Sequence, residues 1–425
     1  WSSKPATKRG EHLFKAAELL ESKLPQLGEE MTREEGKTLP EAIGEVTRAI
    51  NIFRYFGGEG ARQFTYSVPS ERPQVLCYTI RKPLGTVALI TPWNFPSAIP
   101  AWKLAPALVA GNTVVLKPAS LAPLSSYRLV EALHETGIPK GVINYVTGGG
   151  GSVGDALTSH PGINGISFTG STSVGDALYR KVSDRKLRVQ LEMGGKNAVI
   201  VMDDADLEKA AESVAGGAFG ATGQRCTATS RAVVVRSRLV DFTELLAAKA
   251  DTWRAGDGLV DGVRLGPIVD DTQLRKVRER IEAGKKEGAR IIRDGSAPSK
   301  SDLKAGYFVE PTIFADVDPN MSVAQEEIFG PVVSIIPAND FDSALAAANS
   351  VGYGLSSSIY TRDLRTAFRY AEESEAGMLH INIPTVGGEA QVPFGGIKDS
   401  GFGDRECGTA AFDFFTEQRV VYVGY

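Results

Sequence analysis

Strands and helices alternate through one long stretch of the chain, and this alternation restricts the fold more than any other feature. The pattern predicts strand 86–90, helix 97–110, strand 113–116, helix 124–135, strand 142–146 and, after one more helix, strand 165–168. Such alternation through short loops is typical of a parallel, doubly wound sheet. The sequence therefore predicts an α/β fold whose ligands bind at the carboxyl ends of the strands.

Other segments extend this pattern on both sides. Residues 11–60 are predicted to be mostly helical, and 64–82 alternates around a turn, which predicts a hairpin-like pair of strands. The stretch 275–301 is charged and contains glycine, so we expect a solvated helix and loop there. The remaining predicted strands are 198–202, 231–235, 332–336, 355–360 and an edge strand at 414–425.

Composition excludes several classes of protein. At 425 residues the chain is too long for one simple core, so we expect two or more domains. A net charge of -4 gives no basic surface for nucleic acid. No apolar run approaches the roughly 20 residues that cross a bilayer, so we expect no membrane partner.

The cysteines and histidines point to a reducing compartment without metal. Cys77, Cys226 and Cys407 are far apart and odd in number, which favours free thiols and a cytoplasmic location. The four histidines show no metal-ligand spacing, so we expect no metal. Trp1 is not a natural first residue, and we expect an N-terminal segment to be missing before it.

Two glycine-containing loops follow predicted strands, and each opens a helix. Free backbone amides and the positive end of the helix dipole favour a phosphate at such a position. In the first loop, Gly149, Gly151 and Gly154 fit G-x-G-x-x-G, whereas Gly148, Gly150 and Gly154 fit a spacing one residue longer. The register therefore stays open, and a plain tight turn is the alternative.

A dinucleotide at this edge needs a group that holds its ribose. The acidic residue expected about 20 positions after the glycine motif is absent. Lys117 and Ser120, which follow the second strand, are the polar groups available for that task.

Cys226 and Glu192 are candidates for covalent chemistry. Glu192 precedes the predicted strand 198–202, and Cys226 follows a helix for which Asp206 is a good N-cap. A thiol with a pKa of about 8.5 is only slightly ionised at neutral pH, so Cys226 needs a base, and Glu192 suits that role directly or through water. The alternative is that Cys226 is a small core residue and Glu192 a member of a surface ion pair.

Asn94 lies in Trp-Asn-Phe-Pro directly after a predicted buried strand. Its amide donor is suited to a developing oxyanion, and loss of one such donor costs about a hundred- to a thousand-fold in rate. The alternative is an asparagine that only stabilises a turn.

These candidates belong to a set of motifs that resembles the signature of the aldehyde dehydrogenase superfamily, in the family's order over nearly the whole chain. The motifs are Pro-Trp-Asn94-Phe-Pro, Lys117-Pro-Ala-Ser, Phe-Thr-Gly170-Ser, Leu-Glu192-Met-Gly-Gly-Lys-Asn, Gly-Gln-Arg-Cys226, Glu327-Ile-Phe329-Gly-Pro and Pro-Phe394-Gly-Gly-Ile-Lys. Several independent motifs at matching spacing are far more specific than one glycine loop.

The resemblance implies oxidation of a small-molecule aldehyde in two halves. Cys226 attacks the aldehyde, and Asn94 with the backbone N–H of Cys226 holds the oxyanion. Hydride leaves for a nicotinamide, and Glu192 activates the water that hydrolyses the remaining thioester. Relatives that transfer the acyl group to coenzyme A lack this glutamate, so the resemblance implies a non-acylating enzyme.

The resemblance also implies that the cofactor is NAD or NADP, and it selects the longer glycine spacing. The implied cofactor residues are Thr91, Pro92, Trp93, Lys117, Ser120, Gly148, Gly150, Gly154, Phe168, Gly170, Ser171, Glu327 and Phe329. Many NAD-preferring members carry Glu where this chain has Ser120. Ser120 lacks the negative charge that would repel a 2′-phosphate, and Lys117 would attract that phosphate. We therefore expect the protein to accept NADP, and a preference for NADP over NAD is consistent with these two residues.

The substrate is suggested by a narrower resemblance. The stretches after Cys226, around Thr385 and at 409–417 are similar to those of bacterial 2-oxoglutarate semialdehyde (2,5-dioxopentanoate) dehydrogenases. Arg225, Phe95 and Phe394 are the candidate substrate residues, and Arg225 is suited to the far carboxylate. A structural salt bridge of Arg225 is the alternative, and succinate semialdehyde or a broad range of aldehydes are the alternative substrates.

The resemblance implies an NAD(P)-binding domain of doubly wound parallel sheet, an α/β catalytic domain and a small β oligomerisation unit. The expected boundaries are 1–63 and 83–190 for the first, 191–392 for the second, 64–82 and 408–425 for the third, and 393–407 for a return segment to the cofactor domain. A homodimer or homotetramer is expected.

Two other classes remain open from the residues alone. A thiol hydrolase would use Cys226 and Glu192 without nicotinamide. A non-catalytic structural protein of the same fold would keep the core without a reactive thiol.

Overall fold

The computed structural model describes residues 1–62 and 65–425, and these form two large sheets, one small three-stranded sheet, one two-stranded pair and the helices that cover them. The helices are α1 (Ala6–Ser22), α2 (Leu24–Glu35), α3 (Leu39–Glu59), α4 (Ala98–Ala110), α5 (Pro123–Glu135), α6 (Asp155–Ser159), α7 (Thr172–Val182), α8 (Leu207–Phe219), α9 (Leu239–Ala250), α10 (Asp271–Lys286), α11 (Ser322–Gln325), α12 (Phe341–Asn349), α13 (Leu364–Glu373) and α14 (Ala411–Phe415).

The strands follow the same numbering along the chain. They are β1 (Ser67–Pro69), β2 (Val75–Pro83), β3 (Thr86–Ile90), β4 (Thr113–Lys117), β5 (Ile143–Tyr145), β6 (Gly165–Thr169), β7 (Arg188–Glu192), β8 (Asn197–Val201), β9 (Thr229–Val235), β10 (Arg290–Arg293), β11 (Thr312–Ala315), β12 (Val332–Ala338), β13 (Tyr353–Gly354), β14 (Ser356–Tyr360), β15 (Met378–Ile381), β16 (Ile397–Lys398), β17 (Gly401–Phe402) and β18 (Thr416–Gly424).

The first large sheet has the order β17-β7-β6-β3-β4-β5, and β3 to β7 run parallel. The predicted parallel, doubly wound sheet is therefore confirmed. Register brings its candidate residues together, because Ile90 pairs with both Lys117 and Phe168, and Thr169 pairs with Glu192. The segments that follow these strands consequently meet at one edge.

The second large sheet has the order β10-β11-β12-β9-β8-β14-β15 and is parallel except for β10. All five residues of β8 are buried, as its wholly apolar sequence after Asn197 predicts. The α8 helix also begins as predicted, because Asp206 accepts a hydrogen bond from the Lys209 backbone N–H.

One stretch of this sheet corrects the sequence reading. Residues 275–301 were expected to hold only a solvated helix and loop, but β10 lies within them. Its sequence Arg-Ile-Ile-Arg is short and flanked by charge. Because the strand is half-buried at the edge of the sheet, it needs few apolar residues. Periodicity therefore gave no signal for this strand.

The two large sheets meet where β7 ends at Glu192 and β8 begins at Asn197. The connecting residues 193–196 are buried. Sequence patterns predicted only the second of these strands. The candidate carboxylate of Glu192 thus closes a strand of one sheet at the boundary with the other.

The small sheet is β1-β2-β18, in which β2 pairs antiparallel with both neighbours. The predicted hairpin is present from Ser67, while Phe64, its expected first residue, lies outside the described residues. The terminal strand begins at Thr416 rather than at 414, because Phe414 and Phe415 are buried in the preceding helix α14.

The N-terminal helices α1 to α3 pack against α4 and α5 in the core of the first sheet. Helix α3 begins with a capping box between Thr38 and Glu41. Across the described residues, no helix is both long and apolar enough to cross a membrane. Within residues 1–62 and 65–425 no cluster of three or more His, Cys, Asp or Glu side chains is arranged to hold a metal ion.

Candidate active site

A cleft of about 1310 Å³ opens at the carboxyl ends of the first sheet and reaches the loops of the second. Most of the candidate residues line it: Thr91, Pro92, Trp93, Asn94, Lys117, Gly150, Gly154, Phe168, Gly170, Ser171, Cys226, Glu327 and Phe329. The other candidates lie outside its wall: Phe95, Ser120, Gly148, Glu192, Arg225 and Phe394.

The first glycine loop forms a π-helical turn, Gly150–Gly154, that leads into α6. Gly150 and Gly154 face open space, because no atom of residues 1–62 or 65–425 outside their immediate neighbours lies within 4 Å of an added Cβ. Gly148 lies behind them, and its carbonyl accepts a hydrogen bond of 3.3 Å from the exposed Ser120 hydroxyl. The turn therefore leaves its backbone accessible from the cleft.

The cleft wall contains polar atoms that have no partner within the described part of the chain. The buried hydroxyls of Thr91, Thr169 and Thr172 form no hydrogen bond there. Ser171 precedes α7 without a side-chain cap, so the first amides of this helix are free of that competitor. Unpartnered hydroxyls, accessible glycine backbone and a helix start are the groups that hold nucleotide phosphates and riboses, so the residues present fit a dinucleotide.

Cys226 is carried by a strained turn after α8. Ala221 and Thr222 have φ angles of 48° and 58°, which non-glycine residues rarely adopt. Gly223 has φ 67°, and a Cβ there would lie 2.1 Å from the Gly330 carbonyl oxygen. Glycine is therefore required where the turn passes the second sheet, and this contact fixes the approach of the thiol.

The surroundings of Cys226 favour the protonated, neutral form of its thiol. Burial raises the pKa of Cys226 to about 12, and the negative charges of Glu327 and Glu192 act in the same direction. A backbone hydrogen bond from Thr227 opposes them only weakly. Ionisation of Cys226 therefore requires a proton acceptor close by.

Two donors converge next to the thiol. The side-chain Nδ2 of Asn94 donates to the Gln224 carbonyl at 2.9 Å, which holds the amide two residues from Cys226. The backbone N–H of Cys226 has no acceptor in the part of the chain that the structure describes. The pair can therefore serve an oxygen atom bound beside the sulfur.

Glu192 lies behind this group and is 3% exposed. Its Oε2 atom has no hydrogen-bond partner among the described residues. Burial raises the pKa of Glu192 well above its usual value, and the nearby Glu406 raises it further, while Lys103 acts against them. Lys103 and Glu406 form a buried ion pair beside it. Such a carboxyl group holds a proton more readily than an exposed glutamate does.

Glu327 closes the opposite side of the cleft. Its Oε1 accepts the Gly195 N–H at 3.0 Å, and burial raises the pKa of Glu327 to about 7. A Cβ at Gly194 would lie 2.5 Å from Glu327 Oε2, so only glycine permits this approach. The Phe329 ring packs edge-on against Trp93 with 5.5 Å between centroids.

Comparison with known families decides where this arrangement belongs. The sequence pattern described as "Aldehyde dehydrogenase family" matches residues 1–421. The chain belongs to the aldehyde dehydrogenase family. This confirms the resemblance drawn from the motifs, and the protein is accordingly an aldehyde dehydrogenase.

Individual aldehyde dehydrogenases are similar over the whole chain. The alpha-ketoglutaric semialdehyde dehydrogenase of Bacillus subtilis is 46% identical over 100% of this chain and 87% of its own. An NADP-dependent enzyme of E. coli superposes with a TM-score of 0.96 at 37% identity, covering 100% of this chain and 87% of that one. A putative methylmalonate-semialdehyde dehydrogenase of Sinorhizobium meliloti, complexed with NAD, gives 0.97 at 34% identity, covering 100% and 87%.

The three candidate substrate residues of this aldehyde dehydrogenase are not among the residues that line the cleft. The Arg225 guanidinium pairs with Glu41 at 3.3 Å and lies 6.0 Å from the Phe95 ring centre. The Phe394 ring packs on Trp102 with 4.9 Å between centroids. The salt bridge of Arg225, held open as an alternative from the sequence, is thus present.

Several residues that hold the active site of this aldehyde dehydrogenase escaped the sequence reasoning. Asn197 donates to the Cys226 and Ala228 carbonyls at 2.8 and 2.9 Å, and so fixes the cysteine loop. Glu41 accepts the Ala221 N–H at 2.6 Å. Asn197 is the last residue of the motif that contains Glu192, so the sequence could have indicated it. No sequence pattern indicates Glu41, because only the fold brings α3 to the cysteine loop.

Proposed function

We propose that this aldehyde dehydrogenase oxidises 2-oxoglutarate semialdehyde (2,5-dioxopentanoate) to the dicarboxylate with NAD or NADP. The observation that carries the proposal is the convergence on one thiol, Cys226, of two hydrogen-bond donors and a buried carboxyl group with a raised pKa. The printed name of the Bacillus subtilis relative supports the substrate.

In the first half of the reaction the sulfur of Cys226 bonds to the aldehyde carbon. Because the thiol pKa is about 12, its proton must pass to a base, and the Glu192 carboxylate is suited to accept it directly or through water. The carbonyl oxygen becomes an oxyanion. Asn94 Nδ2 and the Cys226 backbone N–H donate to it, and we assign them this role.

The cofactor is proposed to lie in the cleft, held by the residues that line it. Lys117 and Ser120 are assigned to the adenosine ribose, Glu327 to the nicotinamide ribose, and Gly150, Gly154 and the start of α7 to the phosphates. A bound nicotinamide supplies the acceptor for the hydride that leaves the substrate carbon. Cys226 then holds the acyl group as a thioester.

In the second half Glu192, having released the thiol proton to solvent, takes a proton from water as that water attacks the thioester carbon. The carbon–sulfur bond breaks, the carboxylate product forms and the Cys226 sulfur recovers a proton. The buried pair Lys103 and Glu406 acts on that carboxyl group through charge, Glu406 raising its pKa and Lys103 lowering it. The glutamate therefore acts as base in both halves.

NADP acceptance is a further part of the proposal. Ser120 is exposed and neutral, and Lys117, whose pKa is lowered by burial, donates only to the Pro118 carbonyl at 3.1 Å among the described residues. A 2′-phosphate would meet no carboxylate at Ser120 and a cation at Lys117. We expect Ser120→Glu to lower kcat/KM with NADP and to preserve it with NAD.

The division into domains and the assembly are proposals supported by the sheets. The first sheet, with β17 of the return segment 393–407 added antiparallel at β7, corresponds to the cofactor domain, and the second sheet to the catalytic domain. The small sheet exposes Val420 and Tyr422 of β18, 56% and 62% accessible, which suits a contact between copies in a dimer or tetramer. A cytoplasmic location stays a prediction.

The test is a panel of kcat/KM values for wild type, Cys226→Ala and Asn94→Ala. Substrates are 2-oxoglutarate semialdehyde, succinate semialdehyde and pentanal, each with NAD and NADP. We expect the first substrate to be preferred, Cys226→Ala to form no reduced cofactor, and Asn94→Ala to lose about a hundred- to a thousand-fold in kcat. Formation of reduced cofactor by Cys226→Ala would overturn the mechanism. Equal kcat/KM values for all three aldehydes would overturn the substrate assignment.

A further inference from the structure

Arg48 lies on α3, on the same face as Glu45 and Glu41, and reaches the aromatic pair Trp102 and Phe394. Its Nη2 donates to the Gly388 carbonyl, and its guanidinium lies 4.9 Å from the Trp102 ring centre. A Cβ at Gly388 would lie 2.9 Å from Arg48 Nη2 and 3.2 Å from the Phe394 ring. The guanidinium is therefore held between a carbonyl and an aromatic pair.

This guanidinium is close enough to the reacting sulfur to respond to its charge. Burial lowers the pKa of Arg48, the ionised thiols of Cys407 and Cys226 and the carboxylate of Glu45 raise it, and the positive charge of Arg225 lowers it. Arg48 and Arg225 thus both lie near Cys226. The charges of both arginines therefore act on a group that is bonded to the sulfur.

The two arginines differ in their partners. Arg225 is already paired with Glu41. Arg48 forms no ion pair with any residue of the described ranges, and the neighbouring Glu45 is engaged by Lys37. Its Nε and Nη1 atoms donate to no group in those ranges and are not sealed from solvent. A half-buried charge without a counter-charge is unfavourable, so this site favours an anionic ligand.

We infer that Arg48 determines substrate specificity by receiving the far carboxylate of an ω-carboxy aldehyde whose carbonyl carbon is bonded to Cys226. The inference rests on the proposed function and deepens it. Nη1 and the second hydrogen of Nη2 form the end-on edge of the planar guanidinium, and this edge matches a carboxylate. Arg225, neutralised by Glu41, acts as a positioning residue for the cysteine loop.

The test compares kcat/KM for 2-oxoglutarate semialdehyde with that for pentanal, which has the same number of carbons and no charge. We expect Arg48→Gln to lower the ratio of the two values about 10- to 100-fold, as for loss of a hydrogen bond to a charged group. Arg54→Gln is the matched control, because Arg54 lies further along α3 in an exposed pair with Glu21. Its ratio should equal that of wild type.

The outcomes separate this inference from the proposed function. A wild-type preference for the carboxylate substrate that survives in Arg48→Gln overturns the role of Arg48 and leaves the proposed function intact. No such preference in wild type overturns both. If Arg48→Gln does not fold, Arg48→Lys is the deciding variant, because it keeps the charge and loses the planar fork. A lowered ratio of the two kcat/KM values in Arg48→Lys supports the inference, and a ratio equal to that of wild type overturns it.

Discussion

The buried ammonium of Lys37 donates a hydrogen bond of 2.8 Å to the backbone oxygen of Asn94. The same group lies 4.4 Å from the centre of the Phe95 ring and forms a buried ion pair with Glu45. Glu45 in turn accepts the Ser97 N–H at 2.8 Å. One ion pair from the N-terminal helices thus holds both ends of the loop that carries the proposed oxyanion donor.

Replacement of Lys37 should therefore disturb both stability and rate. Burial lowers the pKa of Lys37, but the charges of Glu35 and Glu45 raise it overall, so Lys37→Met leaves buried carboxylates without their cation. We expect a loss of about 3–5 kcal/mol in unfolding free energy, measured in urea, together with a lower kcat.

The control for this change is Lys23→Met. Lys23 pairs with Glu135 at 3.2 Å with both side chains 42% exposed, and such a pair contributes about 0–1 kcal/mol. Similar shifts of the unfolding midpoint in the two variants would contradict the special role of the buried pair.

The dependence of rate on pH should report Glu192. A base works only when deprotonated, and burial together with Glu406 raises the pKa of Glu192 above its ordinary value. We therefore expect kcat to fall as the pH drops through that raised pKa. This fall should occur well above the ordinary glutamate pKa of about 4.3. Glu192→Gln should slow the first formation of reduced cofactor and abolish steady turnover, because both halves lose their base.

Glu372→Gln is the control for this measurement, since Glu372 is exposed on α13. Its pH profile should match that of wild type. Steady turnover by Glu192→Gln with an unchanged profile would remove Glu192 from the mechanism.

Alkylation should distinguish the three thiols. Cys226 is half-buried, whereas Cys77 and Cys407 are 8% and 0% exposed, so iodoacetamide should label Cys226 first. Because burial raises the Cys226 pKa to about 12, its labelling rate should still rise roughly tenfold per pH unit between pH 7 and 10. Peptide mapping by mass spectrometry measures both effects, and a plateau above about pH 9 would indicate an ordinary thiol.

A methyl group at Gly194 should displace Glu327. The added Cβ would lie 2.5 Å from Glu327 Oε2, so we expect Gly194→Ala to raise the KM for the cofactor. Gly216→Ala is the matched control, because that helical glycine has no atom within 4 Å of an added Cβ. It should stabilise the protein by about 0.5–1 kcal/mol and leave the cofactor KM unchanged. Equal cofactor KM values in both variants would show that Glu327 tolerates the methyl group.

The sequence by itself determined the parts that depend on local pattern. Alternating apolar runs gave the parallel sheet, Asp206 gave the start of α8, and the motif spacing gave the family. These features follow from side-chain periodicity and capping within a few neighbouring residues, so one stretch of chain suffices to recognise each. The edge strand β10 lacked such a pattern and was missed.

Only the tertiary structure decided the surroundings of the candidate groups. Lys103 and Glu406, separated by 303 positions, meet beside Glu192, and Glu41 of α3 meets Arg225 of the cysteine loop. Burial and charge pairing depend on which distant segments pack together, and no local pattern records that. The raised pKa of Glu192, the neutralisation of Arg225 and the unpaired charge of Arg48 therefore emerge only when the helices and both sheets are assembled.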